Sequence, residues 1–412
     1  MSESSLTIGQ EILVRADRLA RWSDTPGGLT CAYLTPAHRA TAKQLRQWMS
    51  EAGLRVSVDA IGNVIGRLSG AKPGRKTLIV GSHYDTLRNA GRYAGRLGIL
   101  LAIAVAARLK AEAHVLPFDL EVIAFAEEEG LRFSTSYLAS SAVAGRFDES
   151  ALTRQDAAGI VLADALRDAG LPANEIPDAA RRPEDLLGYL EVYIEQGPVL
   201  LDANLPLGVV TAIAGSVQRR LTVTGEAGDA GTIPMGFRRD AATAAAEIVL
   251  AVEKLCLVLP GVVGTVGQLA VPHGALHVIP GRCDLSLDVR SGDDRLRDEA
   301  LDEIDREVAA IAARRKVTVE TQELHRFRAV ACAPAMLRRI ADAVVKAGVP
   351  VHSLPSGAGH DAVMFGGLTE VGMLFLRCGN GGISHDPRET VAAADVSLAA
   401  QALRDVFLSY PA

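Results

Sequence analysis

The sequence predicts an α/β fold with a mostly parallel sheet, interrupted by a smaller α+β domain. Two observations predict the parallel sheet. Short apolar runs such as TLIVGSHYDT and DLEVIAFAEEEG end in polar residues, and helical patterns separate them along the chain. A third observation predicts the second domain: from about residue 208 the pattern changes to two strands, a helix and two more strands.

Hydrophobic spacing predicts the individual elements. Apolar residues recur at helical spacing over residues 8–22 and 41–52. LRVSVDAIGNVIGRL alternates like two strands joined at an Asn turn. The Ala/Leu-rich LGILLAIAVAARLKA follows the first buried strand as a helix. In the second domain RRLTVTGEAG, GTVGQLAV and CDLSLDVRS are predicted strands, with helices over 240–257 and 294–314.

The chain is long enough for two packed cores. It has 412 residues, and one ordinary domain is usually smaller. Because the alternation typical of the first part resumes near residue 327, we predict a discontinuous catalytic domain of residues 1–211 and 327–412. Residues 212–326 form the inserted domain.

Composition excludes several function classes. The net charge is −6 without a basic stripe, which argues against nucleic acid as a partner. The N-terminus lacks the apolar segment of a signal peptide, and no apolar run is long enough to span a bilayer. The five cysteines include no CxxC pair. We therefore expect a cytoplasmic enzyme with reduced thiols and no membrane partner.

Three adjacent carboxylates end the second buried strand. Glu127, Glu128 and Glu129 repel one another, so one is expected to hold a proton at neutral pH or to share a cation. His83 ends the first buried strand, and Asp85 can orient its ring as a metal ligand. Each feature also has an ordinary interpretation: a solvated acidic turn, and a turn histidine bonded to a nearby acid.

Two more histidines and an arginine are candidates for ligand binding. His360 lies in PSGAGHD and His385 in GGISHDP, where glycines let the backbone approach a ligand closely. Arg290 ends DLSLDVR and can pair with a substrate carboxylate through two hydrogen bonds. Each alone is typical of an ordinary surface. Four such loops in one α/β chain together indicate an active site.

Ten ordered segments resemble one family closely: GSHYDT, GRYAGRLGIL, AFAEEEGLRF, YLEVYIEQGPVL, GVVTAIAG, TGEAGDAGTIPM, RRDA, HVIPGRCDLSLDVRS, PSGAGHDAVMF and GGISHDPRE. The family contains allantoate amidohydrolase, N-carbamoyl-L-amino-acid hydrolase and β-ureidopropionase, within the dinuclear zinc exopeptidases. The resemblance runs from about residue 8 to 408. It implies a zinc-exopeptidase-like catalytic domain and an inserted lid domain through which two subunits form a homodimer.

The resemblance also implies the residues of the site. Five positions match metal ligands: His83, position 94, Glu129, position 193 and His385. Glu128 matches the general base that activates water. Four positions match substrate-binding residues: Gln196, Arg290, Gly359 and His360. The lid of the family sends a histidine and an asparagine, at positions 229 and 277, into the partner's active site.

Four positions depart from the family pattern. Ala94 replaces the aspartate that bridges the two metals, and Tyr193 replaces a ligand histidine. In the lid, Asp229 replaces the histidine and His277 replaces the asparagine. An acid and a base remain at these two lid positions, with their roles exchanged, which indicates a rebuilt acid–base site.

The lost ligands change the expected metal content. The first metal site keeps only His83, and the second keeps Glu129 and His385, whereas a catalytic zinc has about three protein ligands. A dinuclear centre is therefore not expected. We expect no cofactor, or one weakly held divalent ion (Zn, Mn or Ni). Tyr193 could ligate only as a phenolate, which its usual pKa of about 10 makes costly.

We therefore expect an enzyme that cleaves a non-peptide C–N bond in a small carboxylate-bearing amide or ureide. Glu128 is the expected general base, and Arg290 with Gln196 is expected to anchor the substrate carboxylate. The other candidate catalytic residues are His83, Tyr193, Asp229 and His277. The alternatives are a hydrolase that recruits one ion, a metal-independent isomerase, racemase or lyase, and a non-catalytic ligand-binding homologue.

Overall fold

The computed structural model describes residues 6–72 and 74–411, which form two compact units. The first unit consists of the described residues up to Thr211, Cys332–Leu354, and those from His360 onward. The second consists of Ala212–Ala331 and Pro355–Gly359.

Helices occur throughout the described chain, and none of them is long and apolar enough to cross a membrane. The α-helices are α1 (Ile8–Leu19), α2 (Pro36–Glu51), α3 (Arg96–Ala111), α4 (Leu138–Val143), α5 (Leu162–Asp168), α6 (Val199–Asp202), α7 (Ala241–Val258), α8 (Asp294–Arg315), α9 (Pro334–Lys346) and α10 (Ala393–Leu408). Short 3₁₀ helices cover Glu149–Thr153, Ala173–Ala179, Pro183–Asp185, Met235–Phe237, Asp361–Phe365 and Asn380–Gly382.

The strands are β1 (Arg55–Val58), β2 (Val64–Leu68), β3 (Thr77–His83), β4 (Asp119–Phe125), β5 (Leu186–Ile194), β6 (Leu207–Ile213), β7 (Gly215–Thr224), β8 (Gly228–Asp229), β9 (Val262–Thr265), β10 (Leu269–Ala270), β11 (Val278–Ile279), β12 (Arg282–Ser291), β13 (Thr318–Phe327), β14 (Val330–Ala331), β15 (Ser353–Ser356) and β16 (Val371–Leu376).

The sheet of the first unit has its parallel strands at the centre. Its strand order is β1-β2-β4-β3-β5-β16-β6, and β3 pairs in parallel with both β4 and β5, as β16 does with β5. Every residue of β3 and β4 is buried, as expected of parallel strands covered on both faces. The predicted α/β fold with a mostly parallel sheet is confirmed. The carboxyl ends of β3, β4 and β5 therefore meet at one edge of the sheet.

Helix α2 begins five residues earlier than predicted. Thr35 caps it by accepting a hydrogen bond from the backbone N–H of His38, and Pro36 occupies the first helical turn. The first turn, PAHR, carries few apolar residues, so its periodicity is weak. It is nevertheless buried through Ala37 and His38.

The second unit has an antiparallel sheet in the order β10-β12-β7-β13, with β9 also paired to β12. Alternate residues of β7 and β12 form its core with α7 and α8, as the predicted α+β pattern requires. GTVGQLAV does not form the single predicted strand. The backbone pairing of this segment with β12 is interrupted between β9 and β10. There Ser286 Oγ accepts a hydrogen bond from the backbone N–H of Gln268.

Candidate active site

Side chains from three neighbouring strands meet at the carboxyl edge of the first unit's sheet. His83 is the last residue of β3, the acidic run 127–129 follows β4, and Tyr193 is near the end of β5. His83, Glu128 and Tyr193 are 1%, 8% and 4% exposed. Three of the predicted residues thus lie together in a buried place, because parallel strands end at the same edge.

Asp85 holds both His83 and the acidic run. Its Oδ1 lies 3.2 Å from His83 Nδ1. The same carboxylate accepts hydrogen bonds from the backbone N–H groups of Glu128 and Glu129, each at 3.1 Å. One buried carboxylate therefore orients the imidazole and positions the two glutamates relative to it.

The Tyr193 hydroxyl lies 2.7 Å from His83 Nε2. Burial, together with the charges of Glu129 and Glu128, raises the pKa of Tyr193 well above its usual value, so the phenol keeps its proton. Tyr193 therefore does not offer a phenolate. Its hydroxyl instead occupies the ring nitrogen through which His83 would ligate a metal.

The acidic run and His83 form one proton-sharing cluster. Burial raises the pKa of Glu127 and Glu128 well above the usual value, and that of Glu129 to about 7. Burial lowers the pKa of His83, but Asp85 and the neighbouring glutamates outweigh it and raise this pKa well above the usual value. Glu128 Oε2 lies 3.9 Å from His83 Nε2. The cluster thus contains both proton donors and acceptors near neutral pH.

His385 and Gln196 form a second group in the first unit. His385 Nδ1 lies 3.5 Å from Glu129 Oε1. Gln196 Nε2 lies 2.9 Å from His385 Nε2 and 3.0 Å from Ser384 Oγ. Gln196 and His385 both have left-handed backbones, with φ of 58° and 54°, a strain that is often found at functional sites.

The loop before α3 is pinned against His83. Glu389 Oε1 accepts hydrogen bonds from the backbone N–H groups of Tyr93, at 2.7 Å, and Ala94, at 3.3 Å. Gly95 has a φ of 69°, and a Cβ there would lie 2.5 Å from the His83 ring. Position 94 therefore lies in a loop that is fixed beside His83, but Ala94 offers only a methyl group there.

The donor set does not fit a dinuclear centre. His83, Glu128 and Glu129 offer ligand atoms within 4.8 Å of one another, and this group does not include His385. Ala94 has no atom that could bridge two ions. The residues that the structure describes here offer three donors for one ion, one of which, His83, is already bonded to Tyr193.

His360 packs beside Tyr193, with ring centroids 4.5 Å apart. Burial lowers the pKa of His360 to about 3, so its ring is neutral. The cause is loss of water around the charged form, reinforced by the charges of His83 and His385.

Glu191 is a buried acid that the motifs did not indicate, and it bonds to chain neighbours of these site residues. Glu191 accepts hydrogen bonds from Ser82 Oγ at 2.9 Å, from the Tyr189 hydroxyl at 3.1 Å and from the backbone N–H of Ala362 at 3.1 Å. These partners neighbour His83 and His360 in the chain. Burial raises the pKa of Glu191 to about 7. An acidic residue within the apolar run LLGYLEVYI was the available signal.

Ser384 and Glu389 were also missed. Both lie in the segment GGISHDPRE, and Glu389 is 3% exposed. A glutamate four residues after a loop histidine is a weak signal, because such residues are usually solvated.

Four predicted residues lie in the second unit: Asp229, His277, Arg290 and Gly359. Asp229 and His277 are neighbours, since β8 pairs with β11 and the backbone N–H of Ala230 donates to the carbonyl of His277 at 3.0 Å. Both side chains are exposed. The Asp229 carboxylate accepts the backbone N–H groups of the turn that follows it, which lowers its pKa.

Arg290 is held by an acid on its own strand. Its Nε and one terminal nitrogen donate to the Asp288 carboxylate at 2.8 and 3.1 Å, and the other terminal nitrogen donates to the Gly357 carbonyl at 3.0 Å. Gln218 donates to the same carboxylate at 3.0 Å. The plane of the guanidinium is thus fixed within the second unit.

Comparisons with known proteins agree with the motifs. The family model described as Peptidase family M20/M25/M40 matches residues 79–409. An N-carbamoyl-L-amino acid amidohydrolase of Geobacillus stearothermophilus is 38% identical over 396 residues, covering 96% of this chain and 97% of that protein. An allantoate deiminase of Arabidopsis thaliana is 36% identical over 426 residues, covering 95% and 81%. The crystal structure of a hydantoinase/carbamoylase family amidase from Burkholderia multivorans superposes with a TM-score of 0.91, at 31% identity and 98% coverage of both chains.

Proposed function

The chain belongs to peptidase family M20/M25/M40, and from this premise we propose that it hydrolyses a non-peptide C–N bond of a small carboxylate-bearing ureide. The substrate is of the N-carbamoyl amino acid or allantoate type, which the names of its relatives support. The observation that carries the proposal is the buried cluster of Glu128, His83 and Tyr193 at the sheet edge.

Glu128 is the general base. Burial raises the pKa of Glu128, but the neighbouring His83, when charged, favours its ionised form. In that form its carboxylate takes a proton from a water molecule as the water oxygen attacks the carbonyl carbon. Tyr193 and His360, which pack together beside the acidic run, stabilise the negative charge that develops on the carbonyl oxygen. The C–N bond then breaks, and Glu128 returns the proton to the departing nitrogen.

Arg290 anchors the substrate carboxylate. A guanidinium binds a carboxylate through two parallel hydrogen bonds only when its plane is correctly oriented. The contacts of Arg290 with Asp288 and Gly357 support such an orientation. Gly359 and His360 are the further substrate-binding residues of this proposal.

The enzyme works without a dinuclear metal centre. Ala94 supplies no bridging ligand, and Tyr193 bonds to the nitrogen of His83 that would bind the first ion. At most one divalent ion binds weakly, on donors drawn from His83, Glu128, Glu129 and His385. Such an ion, when bound, would polarise the substrate carbonyl.

The first unit is the catalytic domain, and the second is a lid through which two copies form a homodimer. Apolar side chains on the surface of the second unit support this role: Leu250, Leu257 and Val258 on α7 and Val263 on β9 are all more than half exposed. Exposed apolar side chains grouped on two neighbouring elements support an interaction face there. In the dimer, Asp229 and His277 complete the partner's active site.

A proton-transfer reaction is the second candidate. The hydrogen bond between Tyr193 and His83 forms an acid–base pair without a metal, which suits an isomerase, racemase or lyase on a related substrate.

Purified full-length protein should release ammonia or an amino acid from allantoate or from N-carbamoyl-L-amino acids. Glu128→Gln should lower kcat by about 100-fold or more, the usual contribution of a general base. Glu11→Gln, an exposed change on α1, is the matched control and should leave kcat unchanged. Full activity in Glu128→Gln would contradict the proposed base. Deuterium uptake at the substrate Cα without ammonia release would establish the second candidate instead.

A further inference from the structure

Both amide N–H groups of Gln196 are engaged by protein acceptors. Its Nε2 lies 3.0 Å from Ser384 Oγ and 2.9 Å from His385 Nε2. A glutamine amide has two donors on nitrogen and an acceptor on oxygen. With both donors used, only the carbonyl oxygen Oε1 remains for a ligand. None of the residues that the structure describes donates a hydrogen bond to Oε1.

The hydrogen-bond chain beyond Ser384 determines which way this amide faces. Ser384 Oγ lies 2.9 Å from Glu389 Oε2 and gives its single proton to that carboxylate. It can then only accept from Gln196, so the amide nitrogen must face Ser384. If the amide were turned over, the carbonyl oxygen of Gln196 and the carboxylate of Glu389 would both need the single hydroxyl proton of Ser384. One of these two acceptors would then be left unsatisfied.

Glu389 is fixed in the acceptor role. Its other oxygen accepts the backbone N–H groups of Tyr93 and Ala94, and the side chain is buried. Backbone N–H groups donate only, so this oxygen accepts in both contacts. A Cβ at Gly91 would lie 2.3 Å from the Glu389 carboxylate, so the loop packs closely around it.

We propose that Ser384 and Glu389 are positioning residues that orient the Gln196 amide so that it offers only its carbonyl oxygen to the substrate. Gln196 then binds an N–H of the ureide group and does not hold the substrate carboxylate. This inference rests on the proposed function and adds a selection rule to it: the site prefers ligands that carry an N–H donor next to the scissile carbonyl.

Two isosteric ligands isolate this contact. N-carbamoylglycine carries both ureide nitrogens, and levulinate replaces both with carbon while keeping the ketone oxygen and the carboxylate. Binding of each is measured by calorimetry in the Glu128→Gln background, which prevents hydrolysis during the titration. The protein should bind N-carbamoylglycine about tenfold more tightly, because levulinate has no N–H to donate to the carbonyl oxygen of Gln196.

The variants then test the chain of contacts. In Gln196→Met the two ligands should bind with about equal affinity, because only the binding of N-carbamoylglycine becomes weaker. Ser384→Ala and Glu389→Gln should each reduce it to about threefold, because the amide can then rotate. Gln47→Met, on the exposed face of α2, is the matched control and should keep the tenfold preference.

Equal weakening of both ligands in Gln196→Met would overturn the inference, because it would mean that Gln196 holds the carboxylate. An unchanged preference in that variant would overturn it as well. If neither ligand binds the parent protein at millimolar concentration, the proposed substrate class itself is wrong. That outcome is distinct from loss of the preference.

Discussion

Restoring the two missing donors should rebuild a dinuclear metal centre. The perturbation is Ala94→Asp combined with Tyr193→His. Removing the phenol releases His83 Nε2 from its 2.7 Å hydrogen bond. The loop at position 94 is already pinned beside His83 by Glu389, so the introduced carboxylate would lie between the two sites. By the family's ligand positions, each site would regain three protein ligands, the usual number for a catalytic zinc.

The expected result is two zinc ions per chain in the double variant, measured by elemental analysis after zinc dialysis and desalting. The parent protein and each single variant should retain one ion or fewer. At free zinc about 100 times the dissociation constant, each bound ion should add about 2.7 kcal/mol to the free energy of unfolding, which thermal denaturation with and without zinc would detect.

The control is Ala157→Asp, an exposed change that adds the same carboxylate away from the site. Two tightly held ions per chain in the parent protein would refute the donor count. A double variant that binds no more zinc than the parent would refute the claim that the rest of the site is still arranged for metal.

Three further predictions concern the phenol, a buried histidine and the lid. Tyr193→Phe leaves His83 Nε2 without its buried partner and should lower the free energy of unfolding in urea by about 1–3 kcal/mol; an unchanged urea midpoint would contradict the importance of this bond. Burial lowers the pKa of His38 to about 4, against 6.5 in the unfolded chain, so on acidification the unfolded state gains this proton first. Between pH 6.5 and 4 the free energy of unfolding should therefore fall by about 3 kcal/mol more in the parent protein than in His38→Gln. Denaturation is measured at several pH values, and the same pH dependence in both proteins would contradict this prediction. Leu257→Glu places a charge on an exposed apolar position of α7 and should shift the protein from dimer to monomer in sedimentation velocity, whereas a monomeric parent would rule out the lid interface.

The parts of the fold that hydrophobic spacing predicted have either uniform burial or a regular alternation of buried and exposed residues. Strands β3 and β4 and helix α3 are apolar along almost their whole length, so a short run or a helical pattern identified them directly. Strand β5 was not assigned, because it carries Glu191 and two tyrosines, and the polar atoms of all three find partners far away in the sequence. The first turn of α2 was missed because His38 is buried there by stacking on Tyr84, 4.4 Å away, and not by an apolar pattern.

The candidate site shows the same division. The residues His83, Glu128, Gln196 and His385 were predicted from motifs, since each lies in a segment with a characteristic local order. The contacts between these residues were not predicted. The expectation that Gln196 helps to hold a carboxylate came from its position in a motif, and only the structure shows the hydrogen bonds of its amide with Ser384 and His385.

The sequence by itself determined which chemical groups the site lacks. Position 94 cannot supply a metal ligand, because a methyl group cannot coordinate an ion in any fold. Only the tertiary structure decided what the remaining groups do. The Tyr193 hydroxyl meets His83 across 110 residues of sequence, and Gln196 meets His385 across 189. Hydrogen bonds need donor and acceptor within about 3 Å, so such pairs exist only after the chain has folded.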